Sequence, residues 1–235
     1  MSLENKIKLE YFTDVLCVWA YTAQIRLDEL QNKFRDDIDI SYHFVPIFGC
    51  TDTRVISGWK DKGGVDGFSQ HIKSVCSQFP HINVHNDVWK INTPKTSSSI
   101  HLFFKAIQLL EKNAEISKDP VDSYNGKSLF EEYMWQTRLN FFTQTKNICL
   151  NSELMSTAEE LRLPINQIER YLTNGEAMAE LCRDIELKDQ YAVEGSPTYL
   201  LNEGRQKLYG NVGYKIIEAN LHEILEKPQN QASWC

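Results

Sequence analysis

The sequence has no CxxC pair. Its six cysteines lie at 17, 50, 76, 149, 182 and 235, and none has a neighbour at dithiol or zinc-ligand spacing. Phosphate-cradling glycine motifs are also missing. Neither GxGxxG nor GxxxxGK occurs, and Gly63, Gly64 and Gly67 form too short and isolated a set to replace them. His71, His81, His85 and His101 lack the spacing of a ligand set, so no metal is expected. Positive charge is sparse: 25 lysines and arginines face 32 acidic residues, for a net charge of -7. The cations form no stripe, which argues against a nucleic-acid partner. No apolar run is long enough to span a bilayer. The polar opening, residues 1–6, lacks the apolar core of a secretory signal. These absences predict a cytoplasmic protein with reduced thiols and no membrane partner.

With 42% hydrophobic residues, the 235-residue chain can build a sizeable core. Its length fits one large domain, or one domain carrying an insertion, with no need of disulfides for stability. A strand is predicted over 7–12, a helix over 20–34 with Ile25, Leu27, Leu30 and Phe34 inward, and a strand over 38–48. Strand, helix, strand in this order implies a parallel βαβ unit. Residues 58–67 read as a connection. Helical patterns follow over 68–79, 97–110, 128–143, 152–161, 165–172 and 176–191, with Ser152 as a cap and Pro164 in a first turn. Short strands over 198–202 and 207–209 flank the hairpin loop Glu203-Gly204-Arg205. A closing helix over 214–225 turns Ile216, Ile217, Leu221 and Leu225 inward, and the tail from Lys227 is expected to fray.

Two segments carry the chemistry. Cys17, in Asp14-Val15-Leu16-Cys17-Val18-Trp19-Ala20-Tyr21, falls between the first strand and the first helix. A helix N-terminus stabilises a thiolate, so a lowered Cys17 pKa is expected; no cationic side chain within four residues would help. Far downstream, Gly195-Ser196-Pro197-Thr198-Tyr199 puts a proline just before a strand. Each residue also has an ordinary reading. Cysteine is a common buried filler, Trp19 could pack on Tyr21 or Phe48, and Pro197 could simply open a strand. Cys76, Cys149 and Cys182 read as core.

The ordered set resembles the DsbA-like thioredoxin-fold oxidoreductases, in particular their FrnE-like branch, over nearly the whole chain. Cys17-Val18-Trp19-Ala20 stands at the family's CPWC-type motif, with Asp14 and Tyr21 flanking it. Gly195 to Tyr199 resembles the cis-proline segment. Phe44-Val45-Pro46-Ile47, Asn92-Thr93 and Ile100-His101-Leu102 resemble further family segments. The resemblance implies an α/β, thioredoxin-like fold with a large all-helical insertion. Residues 1–56 and 190–235 would form the thioredoxin-like part and 57–189 the helical subdomain. It implies Cys17 as the nucleophile, with Trp19, Ser196 and Pro197 at the substrate and a cis Ser196–Pro197 bond.

Two departures qualify this. Val18 replaces the usual proline, and Ala20 replaces the resolving cysteine. The expected activity is therefore monothiol: a DsbA-like thiol–disulfide oxidoreductase acting on a protein or glutathione substrate. An external thiol such as glutathione, as co-substrate, would resolve the mixed disulfide. No tightly bound cofactor is implied, and a homodimer stays open. Cys50 and Cys235 are alternative resolving thiols within the chain. Two other readings stand beside this one. The first is a glutathione transferase or isomerase resembling the kappa-class and 2-hydroxychromene-2-carboxylate enzymes. Gly210-Asn211-Val212-Gly213 lacks the Asp-Arg pair common in that branch. The second is a redox-inactive thioredoxin-fold binding module.

Overall fold

The computed structural model describes residues 6–226. Cys235 and the tail expected to fray lie outside the described residues. Strand β1 (Ile7–Thr13) is the hub of a four-stranded sheet of order β2-β1-β3-β4. It pairs in parallel with β2 (Ile38–Phe44) and antiparallel with β3 (Thr198–Leu201), which pairs antiparallel with β4 (Gln206–Tyr209). The β-rich, centrally placed β1 is buried from Tyr11 to Thr13.

Between β1 and β2 the chain makes α1 (Val18–Thr22) and α2 (Gln24–Phe34). The predicted single helix is broken at Ala23. There the Ala23 N–H still bonds to the Trp19 carbonyl, an acceptor it shares with the Thr22 hydroxyl, and the ladder restarts with Arg26 N–H on the Ala23 carbonyl. Leu27, Leu30 and Phe34 face inward, but Ile25 is 48% exposed. It lies two residues, about 200°, from Leu27 on the helical wheel. The second strand also ends earlier than predicted, at Phe44, and Val45–Ile47 turns away.

Six α-helices among the described residues separate β2 from β3: α3 (Gly64–Cys76), α4 (Ser98–Lys112), α5 (Leu129–Phe142), α6 (Asn151–Glu160), α7 (Ile165–Thr173) and α8 (Glu176–Gln190). The predicted connection over 58–67 is partly helical. A π-turn over Asp52–Ser57 precedes it, a 3-10 turn covers Lys60–Lys62, and α3 begins at Gly64. Ser128 caps α5 in a full capping box with Glu131. Ser152 caps nothing, because Leu150 holds the N-cap position of α6, and Pro164 is the N-cap of α7 rather than part of its first turn. The final helix, α9 (Tyr214–Leu225), buries Ile217 and Leu221. Ile216 is off that stripe by one residue, about 100°, and is exposed. The β3–β4 loop has four residues, not three, because Asn202 leaves the strand.

One apolar cluster runs through Leu9, Tyr11 and Tyr42 of the sheet and Phe104, Phe130 and Tyr133 of α4 and α5. Cys76 lies in that core, but Cys149 is half-buried and Cys182 is exposed. Polar α8 turns Cys182 toward water while Leu181 points inward.

Candidate functional site

The C-terminal end of β1, the start of α1 and the approach to β3 meet at Cys17. This residue is the N-cap of α1, and its side chain is 6% exposed. Its Sγ donates to the Ser196 carbonyl at 3.1 Å, and the Ser196–Pro197 bond is cis. The Ser196 hydroxyl in turn accepts from the Asp14 N–H at 2.8 Å. Two contacts between segments about 180 residues apart therefore hold the cysteine turn against the proline segment. Trp19 is half-buried and packs against the main apolar core. Among the described residues it stacks on neither Tyr21 nor Phe48. Tyr21 stacks on Phe142 at 4.4 Å, and Phe48 tilts against Trp89. Trp19, two residues after Cys17, thus keeps a partly open ring.

The lowered Cys17 pKa expected from the helix terminus is not found. Burial pushes this thiol up, and the Ser196 side chain and the N–H groups of Ala20 and Trp19 pull it down by less. The charge of Asp14 adds to the rise. The reason is the competition between two effects: α1 has only five residues and contributes a weak terminal field, whereas removing water from a thiolate is costly. In the resting protein Cys17 is a protonated donor.

A buried polar frame lies beneath the sulfur. Asp14 accepts from Leu16 N–H, Phe48 N–H and the Ser97 hydroxyl, each at 2.8 Å. Burial raises Asp14 to about 6, and these three donors limit the rise. His101 Nε2 accepts from Val15 N–H at 3.1 Å, so its proton sits on Nδ1. Burial holds His101 near 3, helped by the charges of Arg138 and Lys105. At 3.7 Å from Asp14 this neutral ring makes no ion pair. Arg138, fully buried, reaches from α5 to the Thr13 hydroxyl at 2.8 Å and the Gln24 amide oxygen at 3.0 Å. Sequence reasoning did not find Ser97 or Arg138 as parts of this frame. Their positions follow helical patterns that look like any insertion helix, and only long-range packing brings them to β1.

Cys50, the candidate resolving thiol, is exposed and precedes the π-turn. A hydrogen bond with the Thr53 hydroxyl lowers its pKa. The five cysteines among the described residues are all free thiols. Among the described residues, no group of His, Cys, Asp and Glu is arranged to hold a metal, and no helix is long and apolar enough to cross a membrane.

The sheet order, the cysteine turn facing a cis-proline and the helical block between β2 and β3 define a thioredoxin-like α/β fold with a helical insertion, the fold of DsbA-like oxidoreductases. Similar solved structures include a candidate protein disulfide isomerase from Nitrosomonas europaea, with TM-score 0.70 at 12% identity over 95% of this chain and 100% of its own. The cytosolic disulfide reductase DsbM from Pseudomonas aeruginosa matches with TM-score 0.63 at 16% identity, over 92% of this chain and 98% of its own. DsbM is also known in a structure with GSH. A 2-hydroxychromene-2-carboxylate isomerase matches with TM-score 0.59 at 13% identity, over 96% and 100%. No family model matches the sequence, and no curated protein matches it.

Proposed function

We propose that this protein is a cytoplasmic thiol–disulfide oxidoreductase that works through Cys17 alone and relies on an external thiol such as glutathione. The observation that carries this reading is the 3.1 Å contact between Cys17 Sγ and the carbonyl of Ser196, at the N-cap of α1 and beside cis-Pro197. In the first step the Cys17 thiolate attacks a substrate disulfide, R–S–S–R′. A Cys17–S–S–R bond forms and R′–S⁻ leaves. An external thiolate then attacks the R sulfur. It takes R as a new disulfide and returns Cys17, which recovers its proton from water. Substrate disulfide is reduced and external thiol is oxidised, so the electrons balance. Ser196, Pro197 and the open ring of Trp19 would border the substrate.

The raised Cys17 pKa shapes this chemistry. The thiolate fraction at neutral pH is small, and a thiol of raised pKa is a slow leaving group. Mixed disulfides on Cys17 would therefore form slowly and persist. The decisive experiment treats the folded protein with oxidised glutathione, then measures intact mass and maps the adduct, for wild type and Cys17→Ser. The expected result is an adduct on Cys17, absent from the variant, and loss of disulfide turnover. Full turnover by Cys17→Ser, or an adduct only on Cys50 or Cys182, rejects the proposal.

One observation favours a second reading. A protonated thiol at this position is suited to donate a hydrogen bond to a bound glutathione sulfur, as a transferase or isomerase would require. Calorimetric binding of reduced glutathione with no covalent Cys17 adduct would support that assignment. A Cys17 inert to alkylation even at high pH, with no glutathione binding, would leave the redox-inactive binding module.

A further inference from the structure

Helices α4, α6 and α7 line a cavity of about 650 Å³ that Cys17 does not reach. The cavity follows from how the stripes of these helices are filled. Helix α7 buries Ile168 and Tyr171 and leaves Leu172, one position further on, half-buried at the cavity. Helix α6 buries Leu154 and leaves Met155 half-buried beside it, and α4 adds Leu102 and Phe103. The lining is therefore largely apolar, and the volume lies in the range of small-molecule sites.

Two groups on this apolar lining carry chemistry. Cys149, a half-buried free thiol between α5 and α6, lines the cavity, and its Sγ donates to the Thr96 carbonyl at 3.1 Å. Ser99, in the first turn of α4, lines it as well. Its hydroxyl is shut off from water and, among the described residues, bonds to nothing. Buried hydroxyls are normally paired, so an orphan at a cavity wall is matched by a polar atom of a ligand. The charges at the rim do not favour an anion. Arg170 is held by Glu115 at 2.8 Å, and Glu169 beside it pairs with no cation among the described residues. The other polar lining residues, Asn151, Asn166 and Thr173, are neutral. A neutral molecule with an apolar body fits this lining better than a charged one.

We propose that this cavity binds small neutral disulfides with apolar arms and that Cys149 captures them covalently. The cavity holds one arm, and the Ser99 hydroxyl bonds to a polar atom on it. Cys149 gives its proton to water, and its thiolate attacks the nearer sulfur of R–S–S–R. A Cys149–S–S–R bond forms, the R–S–S–R bond breaks, and R–S⁻ leaves with the electron pair and takes up a proton. Cys149 is oxidised and the small disulfide is the oxidant, so no further reagent is needed. An external thiol reverses the step. Exposed Cys50 and Cys182 do not line this cavity and lack such prior binding. The proposal is independent of the chemistry assigned to Cys17.

The test treats the whole protein with dipyridyl disulfide, a neutral aromatic probe, over a range of concentrations at fixed neutral pH. Peptide mass mapping over time gives the rate at each cysteine. The rate at Cys149 should saturate, half-maximal below about 1 mM, because the arm binds before the sulfur reacts. Rates at Cys50 and Cys182 should rise in proportion to concentration. Measured against Cys182 in the same sample, Cys149 should react at least roughly tenfold more slowly with oxidised glutathione, whose arms are charged, than with dipyridyl disulfide. Bipyridine, which has the same rings without the S–S bond, should slow Cys149 and leave Cys182 unchanged. Leu172→Trp fills the cavity and should slow Cys149 at least roughly fivefold against Cys182. If that variant fails to fold, competition by bipyridine in the unmodified protein still decides the matter. A Cys149 rate linear in disulfide, equal relative rates with both disulfides, or no competition by bipyridine would each overturn the proposal.

Discussion

Two cysteines show how environment outweighs residue type. Cys17 is buried beside a carboxylate and has a raised pKa, whereas exposed Cys50, bonded to Thr53, has a lowered one. At neutral pH iodoacetamide should therefore label Cys50 before Cys17, and peptide mass mapping over time reads the order. Cys17 labelling should climb well above the pH where an ordinary thiol levels off. The Asp14 charge contributes to that rise, so Asp14→Asn should move the Cys17 labelling midpoint to lower pH. The same change should also destabilise the fold by roughly 1–3 kcal/mol, because an amide nitrogen cannot accept from both Phe48 N–H and the Ser97 hydroxyl. An unchanged midpoint would remove Asp14 from the account of Cys17.

At the scale of elements, α1 presents Ala20 three residues after Cys17, buried and with its N–H toward the sulfur. Ala20→Cys should close a disulfide with Cys17 under mild oxidation, which a loss of two titratable thiols would record. The pairing of β2 with α8 is electrostatic. The two ring nitrogens of His43 face Glu10 at 2.7 Å and Asp184 at 2.8 Å, and the ring donates to both carboxylates when it is protonated. Burial lowers its pKa, but these carboxylates outweigh burial and the net shift is upward. A raised folded-state pKa gives stability that is complete below the unfolded value, about 6.5, and is lost as pH rises through the folded value. Thermal denaturation should show Tm falling as pH rises above about 6.5. His43→Asn should flatten that slope, and an unaltered slope would assign it to other groups. The α5 capping box predicts a loss of about 1 kcal/mol for Ser128→Ala, read by denaturant titration.

Over the whole molecule, the insertion and the sheet share one core. Phe104, Phe130 and Tyr133 pack in the same cluster as Leu9, Tyr11 and Tyr42. Arg138 adds a polar tie from α5 to Thr13 and Gln24. Insertion and sheet should thus unfold together, in one calorimetric transition with matching calorimetric and van't Hoff enthalpies. Two resolved transitions would show two independent units. Removing the tie with Arg138→Ala should cost roughly 1–3 kcal/mol or more, since it leaves the buried Thr13 hydroxyl and Gln24 amide oxygen without their donor.

By itself the sequence determined the order of elements, the apolar stripes of the long helices and the places where chain turns bring up Cys17 and Pro197. These are local matters of hydrophobic period and turn chemistry, and period alone predicts them. It went astray where the helical ladder breaks and restarts, as at Ala23, and where a stripe was drawn one or two positions too wide, as at Ile25 and Ile216. Tertiary structure alone decided the acidity of Cys17, the frame of Ser97, His101 and Arg138 beneath it, and the cavity that Cys149 lines. Each depends on the water excluded and the partners supplied by segments distant in sequence. The pKa of a group and the walls of a cavity are properties of those surroundings, not of single residues.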